Sequence, residues 1–224
     1  MRQFKPVRKI GFQHRSITGV QPSLKNGDLI SFESSLERDF ITILNFDFCV
    51  SEFVEQPVEI IFNEDSNGRT YTPDFLVTYK NGFSIKQKPT LFEVKYRKDL
   101  FKDWKKLKPK FKAALEYADS KKWKFKIITE KEIRTDFLIN AKFLWHYKYY
   151  TISSDDDYEM TLIILTRMKV LKVTTPQELM VSSCKSIMMR GKLLHTLWIL
   201  IAKGQIGCDL NLRLNMNSEI WDIG

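Results

Sequence analysis

The sequence predicts a mixed α/β fold followed by a second, smaller unit. Two observations carry this. A helical apolar stripe is followed by strand-like runs, a lysine-rich helical segment and one more apolar strand. Near 150–157, Ser153-Ser154 and three successive aspartates then interrupt the apolar pattern. At 224 residues the chain is long enough for one sizeable core and a small one.

In order along the chain, 1–32 is polar and broken by Pro6, Gly11, Gly19, Pro22 and Gly27, which predicts an irregular arm with six lysines and arginines. Such an arm fits either a phosphate contact or a solvated tail. From Ser34, the positions Leu36, Phe40, Ile43, Leu44 and Phe46 recur at spacings of three and four, and Ser34 or Ser35 can cap the helix. Strand-like runs follow at 50–54, 58–62, 71–79 and 90–96, with turns at Asn67-Gly68 and Asn81-Gly82. The segment 99–120 reads as a helix with Phe101, Trp104, Leu107, Phe111, Leu115 and Tyr117 inward, kinked or divided at Pro109. A buried strand at 125–129 and a closing helix at 131–147 complete the first domain.

Beyond the break, 161–167 is an apolar helix and Thr175-Pro176-Gln177-Glu178 is a helix start. A third helix is expected at 191–202 and a hairpin at 204–214. Three short helices and a hairpin suggest a winged-helix-like unit. The expected division is therefore a basic arm at 1–32, a catalytic domain at 33–150 and a small domain at 151–224.

Composition narrows the function classes. Hydrophobic residues make up 43% and aromatics 13%, as in a folded, soluble protein. Cys49, Cys184 and Cys208 form no close pair, which argues against disulfides and thiolate zinc and points to a reducing, cytoplasmic setting. No run approaches the length of a membrane span, so no membrane partner is expected. His14, His146 and His195 are isolated, and the absence of a Gly-rich phosphate loop argues against nucleotide hydrolysis by this chain. The net charge of +9 favours a polyanionic partner. Residues 95–131 carry 14 lysines and arginines against 5 acidic residues, an excess equal to that of the whole chain. Lys98, Lys102, Lys105, Lys106 and Lys108 are the candidate phosphate contacts on this helix, the alternative being a solvated amphipathic face.

The chemistry is carried by two short segments. Tyr71-Thr72-Pro73-Asp74-Phe75 sets a carboxylate at the start of an apolar strand, and Leu91-Phe92-Glu93-Val94-Lys95 sets a carboxylate and a lysine on the next. Side chains alternate along a strand, so Glu93 and Lys95 share a face while Phe92 and Val94 turn to the core. A Pro-Asp pair alone is usually a turn, and Glu-x-Lys alone is usually a surface ion pair. Together on neighbouring strands, two carboxylates repel unless a divalent cation neutralises them, and oxygen ligands suit Mg²⁺ with Mn²⁺ as substitute. Lys95 beside a metal-bound water and a phosphate fits phosphodiester hydrolysis. Glu37 supplies a third acidic group from the preceding helix. Glu33 lies one turn earlier, but Glu37 sits inside the amphipathic stretch.

These segments resemble the PD-(D/E)xK nuclease superfamily, whose fold is a restriction-endonuclease-like mixed sheet flanked by helices. The wider text is similar to the TnsA family, endonuclease subunits of heteromeric Tn-seven-like transposases. The similarity rests on Glu33-Ser34-Ser35-Leu36-Glu37-Arg38-Asp39-Phe40, Asn45-Phe46-Asp47, Phe53-Val54-Glu55-Gln56-Pro57, Tyr71-Thr72-Pro73-Asp74-Phe75 and Glu93-Val94-Lys95-Tyr96-Arg97. It covers about 15–150. The resemblance implies cleavage at the 5′ ends of a transposon in double-stranded DNA, beside a DDE transposase, TnsB, that cuts and joins the 3′ ends. It implies Glu37, Asp74 and Glu93 as acidic metal-site residues, with the Val94 backbone carbonyl, and Lys95 as the catalytic lysine. It further implies an AAA+ regulator, TnsC, as partner of the C-terminal region, and a prokaryotic protein that joins the nucleoid when active. A stand-alone restriction or repair endonuclease and a non-catalytic DNA-binding assembly factor are the competing functions.

Overall fold

The computed structural model of the chain describes residues 5–7, 17–62, 68–81 and 87–224. Most of the front half of the expected arm, including His14, lies outside the described residues, as do Asn67 and Gly82 of the two expected turns. The molecule divides into two units, 1–134 and 135–224.

The first unit begins with β1 (Gly19–Pro22) and β2 (Leu29–Phe32), paired antiparallel. An irregular arm was expected here. Ile30 and Phe32 alternate onto one face and are buried, and the Phe32 ring lies so close over Gly19 that a Cβ there would collide with it. The hairpin is tied to the next helix, α1 (Ser35–Phe46), through Asn45, whose side chain accepts from the Leu24 N–H at 2.7 Å and donates to the Pro22 carbonyl at 3.2 Å. Ser34 caps α1, its hydroxyl accepting from the Glu37 N–H, as its position before the stripe predicts.

A four-stranded mixed sheet follows, built from β3 (Val50–Glu55), β6 (Phe75–Tyr79), β7 (Thr90–Val94) and β8 (Lys124–Ile128), in that spatial order. The β3/β6 and β6/β7 pairs are antiparallel and the β7/β8 pair is parallel. The parallel pair requires a crossover, supplied by α2 (Arg97–Ser120). A separate ribbon, β4 (Ile60–Phe62) with β5 (Arg69–Tyr71), packs on α2 through Ile60, Tyr71, Leu107 and Phe111.

Helices cover both faces of β7, so all five of its residues are buried. Phe92 meets Phe40 of α1 at 5.1 Å between ring centroids, whereas Leu91 packs with Ala118 of α2. The expectation that only Phe92 and Val94 face a core is thereby corrected: Glu93 points into the other covered face.

Three further expectations change. The run 71–79 is two strands, because Pro73 has no N–H to give a ladder and the chain passes from the ribbon to the main sheet at Thr72-Pro73-Asp74. β8 is an edge strand with Lys124 and Lys126 exposed, not a buried one. Helix α2 runs unbroken through Pro109, which is exposed, so water can take the carbonyl that the proline leaves unbonded. Its buried stripe is Leu107, Phe111, Ala114 and Ala118, while Phe101, Trp104 and Leu115 are exposed. The short helix α3 (Glu130–Ile133), capped by Thr129 and Glu132, ends this unit, so the expected closing helix is in two pieces.

The second unit comprises α4 (Asp136–Tyr149), α5 (Asp155–Leu171), β9 (Val173–Thr174), α6 (Pro176–Ser183), α7 (Ile187–Ala202), β10 (Ile206–Cys208) and β11 (Ile220–Asp222). The strands form an antiparallel sheet in the order β10-β11-β9. Gly207 is required there, since a Cβ would run into the Trp221 indole.

Helix α4 falls in this unit rather than in the nuclease-like one, which moves the boundary from 150 to 134. Asn140 explains it: its amide donates to the Leu210 and Leu212 carbonyls at 2.9 and 2.7 Å, and its carbonyl accepts from the Leu214 N–H at 3.0 Å. The aspartate run is a helix start rather than the expected boundary. Ser154 and Asp157 form a capping box, and Asp155, Asp156 and Asp157 place negative charge at the positive end of α5. Thr175, Pro176 and Glu178 cap α6 as expected. The expected hairpin at 204–214 is instead β10 and β11, separated by 209–219. Among the described residues no helix is long and apolar enough to cross a membrane.

Candidate active site

Phe75 pairs with Phe92, and both rings lie against Phe40. Side chains alternate along each strand, so the next positions, Asp74 and Glu93, both fall on the face towards α2. Asp74 stands at the sheet switch just ahead of β6. Its backbone carbonyl accepts from the Gln56 N–H at 2.8 Å, and its Oδ2 accepts from the Val94 N–H at 2.7 Å. Gln56 adopts the left-handed region (φ 44°), which is costly for a residue with a Cβ and here lets the chain turn from β3 to Pro57.

Glu93 is only 3% exposed, and both of its carboxylate oxygens are engaged. Oε2 accepts from the Tyr71 hydroxyl at 2.6 Å, and Oε1 accepts from Lys95 Nζ at 2.9 Å. Thus Asp74, Glu93 and Lys95 come together as the spacing predicts. Glu37 differs. Its Oε2 accepts from the Glu33 N–H and its Oε1 from the Ser34 hydroxyl, both at 2.8 Å, so its carboxylate is turned onto the start of its own helix.

The electrostatics follow from this crowding. Asp74 is raised well above the ordinary carboxylate range by burial of its carboxyl, then by the charges of Glu93 and Glu37. Glu37 is raised by burial, against the hydrogen bonds from Glu33 and Ser34, with repulsion from Glu33 and Glu93 adding to the rise. For Lys95, burial pulls the ammonium down, but the charge and hydrogen bond of Glu93, with Asp74 and Glu37 behind, outweigh it and the net shift is upward. Burial, followed by the Glu93 charge, pushes the Tyr71 phenol far up, so it remains a donor.

Among the described residues no group of three or more His, Cys, Asp and Glu side chains converges closely enough to hold a metal ion. The donor set that fits a hard divalent cation is smaller: Asp74 and Glu93, whose mutual repulsion a cation would relieve, and the Val94 carbonyl. In a strand the N–H and C=O of one residue leave the same edge, and the Val94 N–H is directed at Asp74.

Sequence reasoning missed two features. Tyr71 lies in the quoted motif but carried no role, because its partner is 22 residues away on another strand. Arg134 donates to Asp39 at 3.1 Å, to Ser35 at 3.3 Å and to the Tyr96 hydroxyl at 2.9 Å, joining α1 to the strand-helix junction after Lys95. No local pattern signals either. Lys98, Lys102, Lys105, Lys106 and Lys108 are all exposed, on the half of α2 opposite its buried stripe. Beside them, a groove of about 450 Å³ is lined by Arg97, Leu100, Phe101, Trp104, Ile127, Thr129 and Glu132.

Residues 47–130 match the family model described as TnsA-like endonuclease N terminal. The match spans β3 to β8 and includes Asp74, Glu93, Val94 and Lys95, while Glu37 precedes it. No curated protein matches the chain. The match supports a TnsA-like endonuclease domain at residues 47–130, and within it a switch-point aspartate faces a strand glutamate that holds a lysine.

Proposed function

We propose that this chain is the endonuclease subunit of a Tn-seven-like transposase, hydrolysing phosphodiester bonds at the 5′ ends of the transposon. The observation that carries the reading is the Asp74–Glu93–Lys95 constellation inside the matched domain. Asp74 and Glu93, with the Val94 carbonyl, would hold Mg²⁺ or Mn²⁺. When bound, the cation offsets charge building on the phosphate oxygens and acidifies a water. Lys95 keeps its proton at rest, presents a positive Nζ to the phosphate side and is oriented by Glu93. Glu37, the remaining residue of the expected catalytic set, adds negative charge to the site and holds the start of α1.

Lys98, Lys102, Lys105, Lys106 and Lys108 would bind the backbone of double-stranded DNA without reading sequence, so the cut position would be set by partners. Those partners are a DDE transposase, TnsB, for the 3′ ends and an AAA+ regulator, TnsC. The second unit supports a winged-helix reading: α5, β9, α6, α7, β10 and β11 follow one another as helix, strand, helix, helix, strand, strand around a three-stranded sheet. In that reading the segment 209–219 is the wing, and the unit binds DNA or the regulator. The protein would act at the nucleoid of a prokaryotic cell.

The test is cleavage of a transposon-end duplex and of unrelated DNA, in Mg²⁺, by the chain alone and with its candidate transposase and ATPase. Cutting confined to transposon ends and dependent on the partners is the expected result. Cutting of naked DNA at its own sites by the chain alone would make it a stand-alone restriction or repair enzyme. Partner binding with no cutting under any condition would make it an assembly factor.

A further inference from the structure

The groove at the front of α2 has no part in the proposed chemistry, yet it lies one strand away from it. In the parallel β7/β8 pair Glu93 stands opposite Ile127, and neighbouring strands run about 4.8 Å apart. Ile127 packs with the cluster under α2, so it shares the α2 face of the sheet with Glu93. The groove starts at Ile127 and Thr129 and is walled by Arg97, Phe101 and Trp104 of α2, the helix that opens two residues after Lys95. Its volume of about 450 Å³ falls among sites that hold small ligands, roughly 300 to 1,000 Å³.

Arg97, Phe101 and Trp104 recur at spacings of four and three, so they form one strip of the helix. Phe101 is 76% exposed and Trp104 48%, which sets two large aromatic rings side by side in solvent. Each is backed by a neighbour: the Arg97 guanidinium lies 5.8 Å from the Phe101 centroid, and the Trp104 ring leans on the buried Phe111 at 6.2 Å. Lys98, Lys102 and Lys105 each follow one of the three in sequence, so exposed ammonium groups run beside the aromatic strip. At the rim, the Glu132 carboxylate accepts from the Thr129 N–H at 2.9 Å and from its hydroxyl at 2.6 Å. That carboxylate repels a phosphate, and an apolar wall offers it nothing, whereas a nucleobase has a flat face to stack and N–H groups to donate.

We propose that this groove binds an unpaired nucleobase of DNA beside the scissile bond, stacked on Phe101 and Trp104 while the adjacent lysines hold the flanking phosphates. The inference rests on the DNA-cleaving reading above and adds a requirement to it: the duplex opens next to the cut. Opening a pair costs free energy that stacking on the rings offsets, and because every base has a π-face the groove holds the strand without reading its sequence.

The test is binding of the full chain, in EDTA, to labelled DNAs followed by fluorescence anisotropy: a paired duplex, a fork with two short thymine arms, and the same fork with abasic arms, which keeps the charge and removes the bases. It compares wild type with Phe101→Ala, with Phe101→Ala combined with Trp104→Ala, and with Lys102, Lys105 and Lys106 changed to glutamate; thermal unfolding verifies that each folds. Wild type is expected to bind the thymine fork about tenfold tighter than the abasic fork. The preference should shrink in Phe101→Ala, whose exposed ring puts folding at little risk, and vanish in the double variant, while the glutamate variant weakens binding to all three DNAs and keeps the preference. Equal binding of the two forks by wild type, with the lysine dependence intact, overturns the base site and leaves the nuclease reading standing. So does a preference that survives the double variant. Loss of binding to the candidate transposase or ATPase in the double variant, with no change on DNA, makes the groove a protein-docking site and also overturns it. Wild type that binds none of the DNAs overturns the DNA-cleaving reading itself and this inference with it.

Discussion

The Asp74 carboxylate accepts a 2.7 Å hydrogen bond from the Val94 N–H, so the switch between the ribbon and the main sheet is pinned to the strand that carries Glu93 and Lys95. One bond therefore sets both the register of the sheet end and the geometry of the site. The carboxyl lies next to Glu93 in a desolvated place, where its charge is unwelcome.

From this follows a stability effect of defined sign. The folded-state pKa of Asp74 is raised above its unfolded value, so the neutral carboxyl favours folding at low pH and that contribution is lost as pH rises through the folded pKa. Asp74→Asn keeps an oxygen for the Val94 N–H and removes the charge. In metal-free buffer at pH 7, the variant is expected to melt a few degrees above wild type, and the difference should shrink as pH is lowered. Calorimetric scans across pH measure this; a variant less stable than wild type at pH 7 would contradict it.

Glu37 and Asp74 should separate in function. Glu37 spends both oxygens on the start of α1, so Glu37→Ala removes a cap and is expected to cost about 1 kcal/mol in denaturant unfolding. Glu37→Gln keeps an acceptor and should retain most of that stability. Its cleavage rate is expected to fall far less than that of Asp74→Asn, and equal losses in the two variants would show Glu37 to be a direct ligand.

Arg134 joins three acceptors, Asp39, Ser35 and Tyr96, and stacks over the Tyr96 ring at 5.4 Å. Its side chain is 44% exposed but that of Asp39 only 4%, so Arg134→Ala takes a partner from a buried carboxylate and should cost more than a surface ion pair, about 2 to 3 kcal/mol. Arg134→Lys cannot span the same acceptors and should recover little of it. Equilibrium unfolding of the two variants decides the matter; full recovery by lysine would mean that the charge alone counts.

The lysine face of α2 is tested by salt. Reversing Lys102, Lys105 and Lys106 to glutamate is expected to weaken duplex binding and to reduce the slope of log K against log salt by about 0.9 per lost phosphate contact. Stability should stay within roughly 0.5 kcal/mol, since all three are exposed. An unchanged slope would return this face to being merely solvated.

Much of the fold was legible because its signals are local. Ser34 capping α1, the β3 and β7 runs, and the Thr175-Pro176-Glu178 start of α6 all follow from spacing and caps. Asp74, Glu93 and Lys95 were legible because strand alternation and adjacency are enough to bring them together. What was not legible is long-range. Tyr71 reaches Glu93 across two strands, Arg134 reaches Asp39 across 95 residues, and Asn140 claims α4 for the second unit by binding a loop some 70 residues on. The aspartate run at 155–157 misled because the same residues that break an apolar pattern also begin a helix.

The central claim is that Asp74, Glu93 and Lys95 cut the 5′ strand. The direct measurement is cleavage of an end-labelled transposon-end duplex by the chain with its candidate transposase and ATPase in Mg²⁺, comparing wild type with Asp74→Ala and Lys95→Ala. Loss of the 5′-strand cuts in both variants, with 3′-strand cuts retained, is the expected result. Unchanged 5′-strand cutting would contradict the assignment and leave the chain an assembly factor.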